Sequence, residues 1–485
     1  MFRPLTCLTI LLLAACTPGG TRGDDSPVVV SAIGSGVRPA DPDAGTLDPA
    51  RRIWLSATAQ GLVRLDGAGQ IEAGLAERWI VIDQGLSYIF RLREGAEWPD
   101  GTPVTAGEVV RILRRAIAPD SRNALGPFLA VIDDIVEMTP QIVEVRLRHP
   151  RPDLLKLFAQ PELAIDRAPG FEGSGPFRAS EMRGAWRLRP ALDPNADRDA
   201  PSPSPAETLV FHAEPAARAI ARFRAGASDL VLGGSLADWP IVGAAGIAGG
   251  NIRIDPAIGL FGLAIVAREG FLTDPANRKA LAMAIDRPAI TAAFHPNWAP
   301  IETLLPAQLD SSAAPAEPGW APLSPEDRLA TARGAVAAWK RNAGPVTLRV
   351  ALPGGPGITL LWAGIARSLL AIGILPERVG MDDADADLRL VDAVAPYDSA
   401  RWFVATACQR CSEATTALVE AGRDAPDLDT RAQRIADADA AIADESAFIP
   451  IAQPFRWSIV ALRLQAWQGN ARAWHPLNHL RNETR

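Results

Sequence analysis

Residues 86–117, LSYIFRLREGAEWPDGTPVTAGEVVRILRRAI, confine the chain locally more than any other stretch does. Tyr88, Phe90 and Leu92 alternate with Ile89, Arg91 and Arg93, the period of a half-buried strand. Pro99-Asp100-Gly101 then makes a corner: proline presets φ, aspartate bonds its own backbone, and glycine accepts positive φ. Thr105, followed three residues later by Glu108, forms a capping box that satisfies free N–H groups at a helix start. Val109, Val110, Leu113 and Ile117 supply one apolar helical face. Every residue here has a structural task, and no nucleophile stands beside a base. The stretch reads as scaffold.

The first sixteen residues, MFRPLTCLTILLLAAC, predict export. Arg3 is the positive n-region and Leu8–Leu13 an apolar h-region too short to span a bilayer. Leu13-Ala14-Ala15-Cys16 resembles a lipobox, in which Cys16 becomes the lipidated first residue. The expectation is a signal peptide over 1–15, a lipidated tether over 16–26, and a mature chain held in the periplasm on a membrane. A chain of 485 residues exceeds one small core, so two or three lobes are expected. The net charge of −7 offers no electrostatic footprint for nucleic acid. No later run of about 18 apolar residues predicts a membrane span.

With Cys7 in the signal and Cys16 lipidated, only Cys408 and Cys411 remain, as CQRC. An oxidising periplasm favours a local disulfide stapling a loop. A redox pair would want a helix N-terminus in a compact βαβ unit, and zinc would want two more ligands nearby. The histidines, 149, 212, 295, 475 and 479, are scattered, and no GxSxG, HExxH or P-loop pattern is present. Neither catalysis nor a metal or other cofactor is expected.

Other elements follow from pattern. VVVSAIG (28–34) reads as an apolar strand and IVEVRLRH (142–149) as an alternating one. PAARAIARFRAG (215–226) is a helix stopped by Gly226, and Asp274-Pro275 and Ser324-Pro325 cap two further helices. VTLRVALPGGPGITLLWAGIARSLLAIGI (346–374) is a strand, a glycine-rich loop and a helix, lacking the GxGxxG or Gly-Lys-Ser/Thr of a phosphate cradle. Strand–helix alternation points to α/β lobes.

The segment LAERWIVIDQGLSYIFRLREGAEWPDGTPVTAGEVV (75–110) resembles the hallmark of family 5 extracytoplasmic solute-binding proteins, the peptide, dipeptide and nickel-type receptors of ABC importers. Leu47-Asp48-Pro49 and Gly61-Leu62 resemble the family's opening, GSGPFRA (173–179) its return strand, FRAGASDLVLGG (223–234) a helix end before a short strand, and LTDPANRKALAMAIDRPAI (272–290) its arginine helix. The resemblance implies a type II periplasmic-binding-protein-like α/β fold: two main lobes, an inserted extra domain, and a hinge around a ligand cleft. It divides the chain into a discontinuous lobe I (27–49, 172–257 and 449–485), an inserted domain II (50–171) and a lobe III (258–448).

The resemblance also implies a function: a monomeric receptor that takes a short peptide or other small solute and hands it to membrane permease subunits. In such receptors an acid before a tyrosine meets the ligand's free amine. The equivalent run here is Ala395-Pro396-Tyr397, so proline holds the acid's place, and Asp398 is the candidate substitute. Val266 stands where the family normally shows asparagine, and ATACQRCSEA after Trp402 and Phe403 is shorter than the family's loop. The candidate ligand surface is therefore Tyr397, Asp398, Arg401 and Trp402, with Trp239 at the cleft edge. Tryptophans would enclose a ligand and Arg401 would meet a carboxylate. The alternatives are a non-peptide solute, a chaperone or sensor that has left transport, and an exported hydrolase whose Ser, Cys or metal constellation is invisible in linear sequence.

Overall fold

The computed structural model describes residues 23, 25–36, 45–167, 172–191 and 204–480; the leader and Cys16 lie outside them. Three larger sheets organise these residues, beside two of two strands each. The first has seven strands in the order Phe177–Met182, Ala185–Pro190, Leu209–Glu214, Val28–Ile33, Leu230–Ser235, Arg456–Val460, Ile252–Ile254. Val28–Ile33 runs parallel to both its neighbours, and the flanking pairs are antiparallel. Its continuous apolar run suits a strand covered on both faces. The one polar residue inside it, Ser31, donates to Glu214 Oε1 at 2.8 Å and so is not stranded.

The second sheet is antiparallel, ordered Ala76–Ile82, Ser87–Leu92, Ile142–Leu147, Ile132–Thr139. Tyr88, Phe90 and Leu92 face its core, as their alternation predicts. Thr105 caps the helix Ala106–Ala116 by accepting from the Glu108 N–H. Glu108 does more than cap. Its carboxylate accepts from Trp98 Nε1 at 3.1 Å and from Arg167 at 2.6 Å, and the Arg167 guanidinium lies 4.3 Å over the Trp98 ring. Trp98 is only 2% exposed, so the turn, the cap and the ring lock together as one structural unit.

The third sheet is ordered Leu375–Val379, Thr347–Ala351, Leu388–Val394, Gly259–Ile265, Phe448–Ala452. Its two βα-type pairs are parallel and the others antiparallel. Phe448–Ala452, which the sequence division cuts at 449, lies wholly in this sheet. The chain therefore crosses between the first and third sheets twice, through 255–258 and through 453–455. Two adjacent crossings are what a hinge between lobes requires. The glycine-rich entry to the helix Pro356–Ala371 has a packing role: a Cβ on Gly357, the second residue of the helix, would stand 1.8 Å from the Leu236 carbonyl oxygen of the first lobe. Only glycine lets the lobes approach so closely there.

Asp274 and Ser324 cap Pro275–Ala284 and Pro325–Ala343 as expected. On the long helix Leu428–Glu445, Asp439 is buried and accepts from the Ala316 N–H at 2.8 Å, while its Oδ1 has no partner. Burial pushes its carboxyl up from 3.8 to about 6, against the pull of that single N–H. The folded chain then holds the proton more tightly than the unfolded chain, so stability falls as pH rises from about 4 to about 6 and stays lower above. Asp439→Asn should raise unfolding free energy at pH 7 by about 2 kcal/mol and flatten that slope, read by urea titration at several pH values.

Candidate functional site

The strand Leu388–Val394 ends where all three parts of the protein meet. Ala395 continues it, donating to the Ile258 carbonyl at 2.9 Å in the first crossing segment. Arg472, from the C-terminal segment, donates to the Ala395 carbonyl at 2.7 Å. Gln160, from the inserted domain, donates to the Pro396 carbonyl at 2.9 Å, and Arg52 in turn holds Gln160 at 3.0 Å. Beside this segment lies a cavity of about 310 Å³, walled by Ile258, Leu309, Ala395, Tyr397, Asp398 and Arg472 among others. Its walls are mostly apolar with a few converging polar groups, the composition of a small-solute pocket.

Asp398 is the carboxylate on that wall, and it is already engaged. Lys156 of the inserted domain donates to one of its oxygens and Arg472 ion-pairs with the other. Burial lowers the Arg472 guanidinium to about 10; burial and then the charge of Arg472 lower Lys156. Both cations therefore lean on Asp398 for compensation. Of the three, Asp398 and Arg472 line the cavity, and Lys156 approaches Asp398 from outside it.

Tyr397 is buried beside it, edge-on to Phe128 of the inserted domain at 6.0 Å. Burial, and then the nearby Asp153, push its phenol up to about 12. The helix Ala400–Ala407 begins immediately after; its Ala400 N–H donates to Asp310 Oδ1 at 2.6 Å, and Arg431 both pairs with Asp310 and donates to Ser399 at 2.8 Å. Arg401 and Trp402 lie on this helix. Arg401 turns away from the cavity, 5.7 Å over the Phe128 ring, and Trp402 is packed edge-on against Phe403 at 4.9 Å.

Trp239 lies elsewhere on the interlobe seam. Its indole donates to the Phe294 carbonyl at 3.0 Å and its ring meets Phe455 at 5.0 Å and Trp457 at 6.2 Å. Of the five candidates, Tyr397 and Asp398 share the cavity wall, Arg401 touches Tyr397 from behind, and Trp402 and Trp239 pack in separate neighbourhoods. Cys408 and Cys411, just past the helix, are joined as a disulfide with Cα atoms 5.4 Å apart.

Sequence reading missed Lys156, Gln160 and Arg472. A lysine inside the apolar run LLKLFA (154–159) is the one visible signal, since a charge there needs a partner. Chemically the site binds. Its single carboxylate is committed to cations, and among the described residues no cluster of three or more His, Cys, Asp or Glu could hold a metal. His475 and His479 pair with Asp255 at 3.1 Å and Glu72 at 2.9 Å.

Removing the charge at Asp398 strands Lys156 and Arg472 together. Because Asp398 is about half exposed, the cost is below that of a fully buried pair. Asp398→Asn should destabilise by roughly 1–3 kcal/mol in chemical denaturation, with Lys156→Met costing less. Additivity of the two in a double-mutant cycle would show that the contact is not energetic.

The model for "Bacterial extracellular solute-binding proteins, family 5 Middle" matches residues 70–384 of this chain. The probable deoxycholate-binding periplasmic protein YgiS of Escherichia coli K12 is 41% identical over 95 residues, 18% of each chain. The periplasmic oligopeptide-binding protein OppA of Salmonella typhimurium is 30% identical over 168 residues, 31% of each. These alignments thus span less than a third of the relatives' length. Among solved structures, OppA of Burkholderia pseudomallei superposes with a TM-score of 0.79 at 16% identity, covering 94% of this chain and 98% of that one. Haemophilus influenzae OppA in complex with RPPGFSPFR gives 0.77 at 15%, covering 93% and 98%. With the hallmark segment inside the matched region and the three-sheet architecture shared across nearly the whole length, this chain belongs to family 5 of the bacterial extracellular solute-binding proteins.

Proposed function

We propose that the protein is the solute-binding component of an ABC importer, a lipid-anchored periplasmic receptor rather than an enzyme. It captures a peptide or peptide-like solute where the lobes meet and presents the closed form to a membrane permease. The observation that carries this reading is the cavity beside 395–398, set at the junction of lobes joined by two crossing segments. A solute touching more than one lobe binds the closed arrangement better than the open one, which is what shifts the population toward closure. The named functions of OppA relatives support the peptide class. No helix among the described residues is long and apolar enough to cross a membrane, and in this proposal attachment falls to acyl chains on Cys16.

One observation favours a second reading, a non-peptide solute. Pro396 holds the place of the amine-binding acid, and Asp398 already carries Lys156 and Arg472. An incoming ammonium would have to displace a cation. A solute with a carboxylate and an apolar body would instead complement Arg472 and the apolar lining, and one relative is named for deoxycholate.

Mass spectrometry of protein extracted from membranes tests both parts. The intact chain should begin at Cys16 and carry acyl chains. Denaturation should release small molecules: a ladder of short peptides supports the first reading, and a single non-peptide acid supports the second. An unmodified N-terminus upstream of Cys16 would remove the anchor, and release of no solute by protein prepared without washing would count against import.

A further inference from the structure

We propose that a second, smaller cavity, between the inserted domain and lobe III, is a binding site for one small monovalent anion of the size of chloride. The cavity measures about 20 Å³ and is walled by Arg151, Asp153, Tyr397, Arg401, Arg423 and Arg431 together with apolar groups. That volume admits one water-sized species and excludes tetrahedral oxyanions.

The charge count asks for an anion. Arg151, Arg401 and Arg431 are 4%, 8% and 3% exposed, so all three guanidinium groups are out of water. Arg423 makes a fourth cation on the wall, and three carboxylates stand against the four: Asp153, Asp310 and Asp424, the last acting on Arg401 as well. Asp310 pairs with Arg431, and Asp153 lies 3.6 Å from the same arginine. Arg423 is neutralised by its neighbour Asp424, with two bonds of 2.8 Å. Arg151 spends its N–H groups on the carbonyls of Pro150, Arg423 and Ala425. Arg401 has the Phe128 face and the Tyr397 hydroxyl, and its Nε has no partner. Four cations, three of them buried, face three carboxylates that are more exposed than those three, with an unpartnered donor among them, and an uncompensated buried charge is costly.

The mutual effect of these arginines is visible in Arg151, which burial, then Arg431 and Arg401, lower to about 10. Burial pushes Asp153 up, which weakens its share of the compensation. A chloride ion restores neutrality in the space available. Tyr397 lines this cavity and the solute cleft alike, so the anion backs one wall of the cleft.

Two measurements decide it. With gluconate holding ionic strength constant, thermal unfolding of the purified protein should shift upward by about 2 °C between 1 and 150 mM chloride. Arg401→Met, which removes the surplus cation, should lose that dependence. Crystals grown in bromide should show an anomalous peak inside the cavity, a readout that stands even where the variant fails to fold. A cavity holding only water, or no density, in bromide-grown crystals overturns the proposal, as does a wild-type melting temperature indifferent to chloride.

Discussion

The segment 395–398 is the point on which the three parts of the molecule depend. It leaves the third sheet at Val394, and within four residues it is held by the first crossing segment, by Arg472 from the C-terminal segment and by Lys156 and Gln160 from the inserted domain. An ion pair of this kind contributes little as an isolated contact on the surface. Here Arg472 is buried, so the cost of leaving it uncompensated makes this arrangement of the lobes sensitive to a single carboxylate. Asp398 is half exposed, which keeps the contact breakable, and a receptor that must open needs that.

A second seam holds the lobes by different physics. Trp239, Phe455, Trp457, His295 and Trp298 form a chain of tilted and edge-on rings between the first and third sheets. Nearby, Gly357 admits the Leu236 backbone. The apolar seam supplies area and the charged segment supplies specificity of position. Glycine-rich loops and clustered tryptophans, which suggest phosphate cradles or ligand cages when read alone, serve packing between lobes at these places.

Local physics made much of the scaffold legible. The alternation in 88–93, the Thr105 cap, and the Asp274-Pro275 and Ser324-Pro325 helix starts all depend on residues within a few positions of each other. The pairing of Leu230–Ser235 with Arg456–Val460 does not, and no local pattern joins these distant strands into one sheet. The site divides the same way. Tyr397 and Asp398 stood out because they follow the missing acid, whereas Lys156 reaches Asp398 across 242 residues and nothing local marks Arg472. Arg401 and Trp402 share a helix that is packed on several sides, so adjacency in sequence could not say which would face the cavity.

The Lys156–Asp398–Arg472 contact holds the lobes together around the cleft. Spin labels at the exposed positions Glu181, on the first sheet, and Arg367, on the third lobe, read that directly by double electron–electron resonance. The native chain should give one narrow distance distribution, and Asp398→Ala in the same labelled chain should give a longer and broader one. Identical distributions in the two proteins would contradict it.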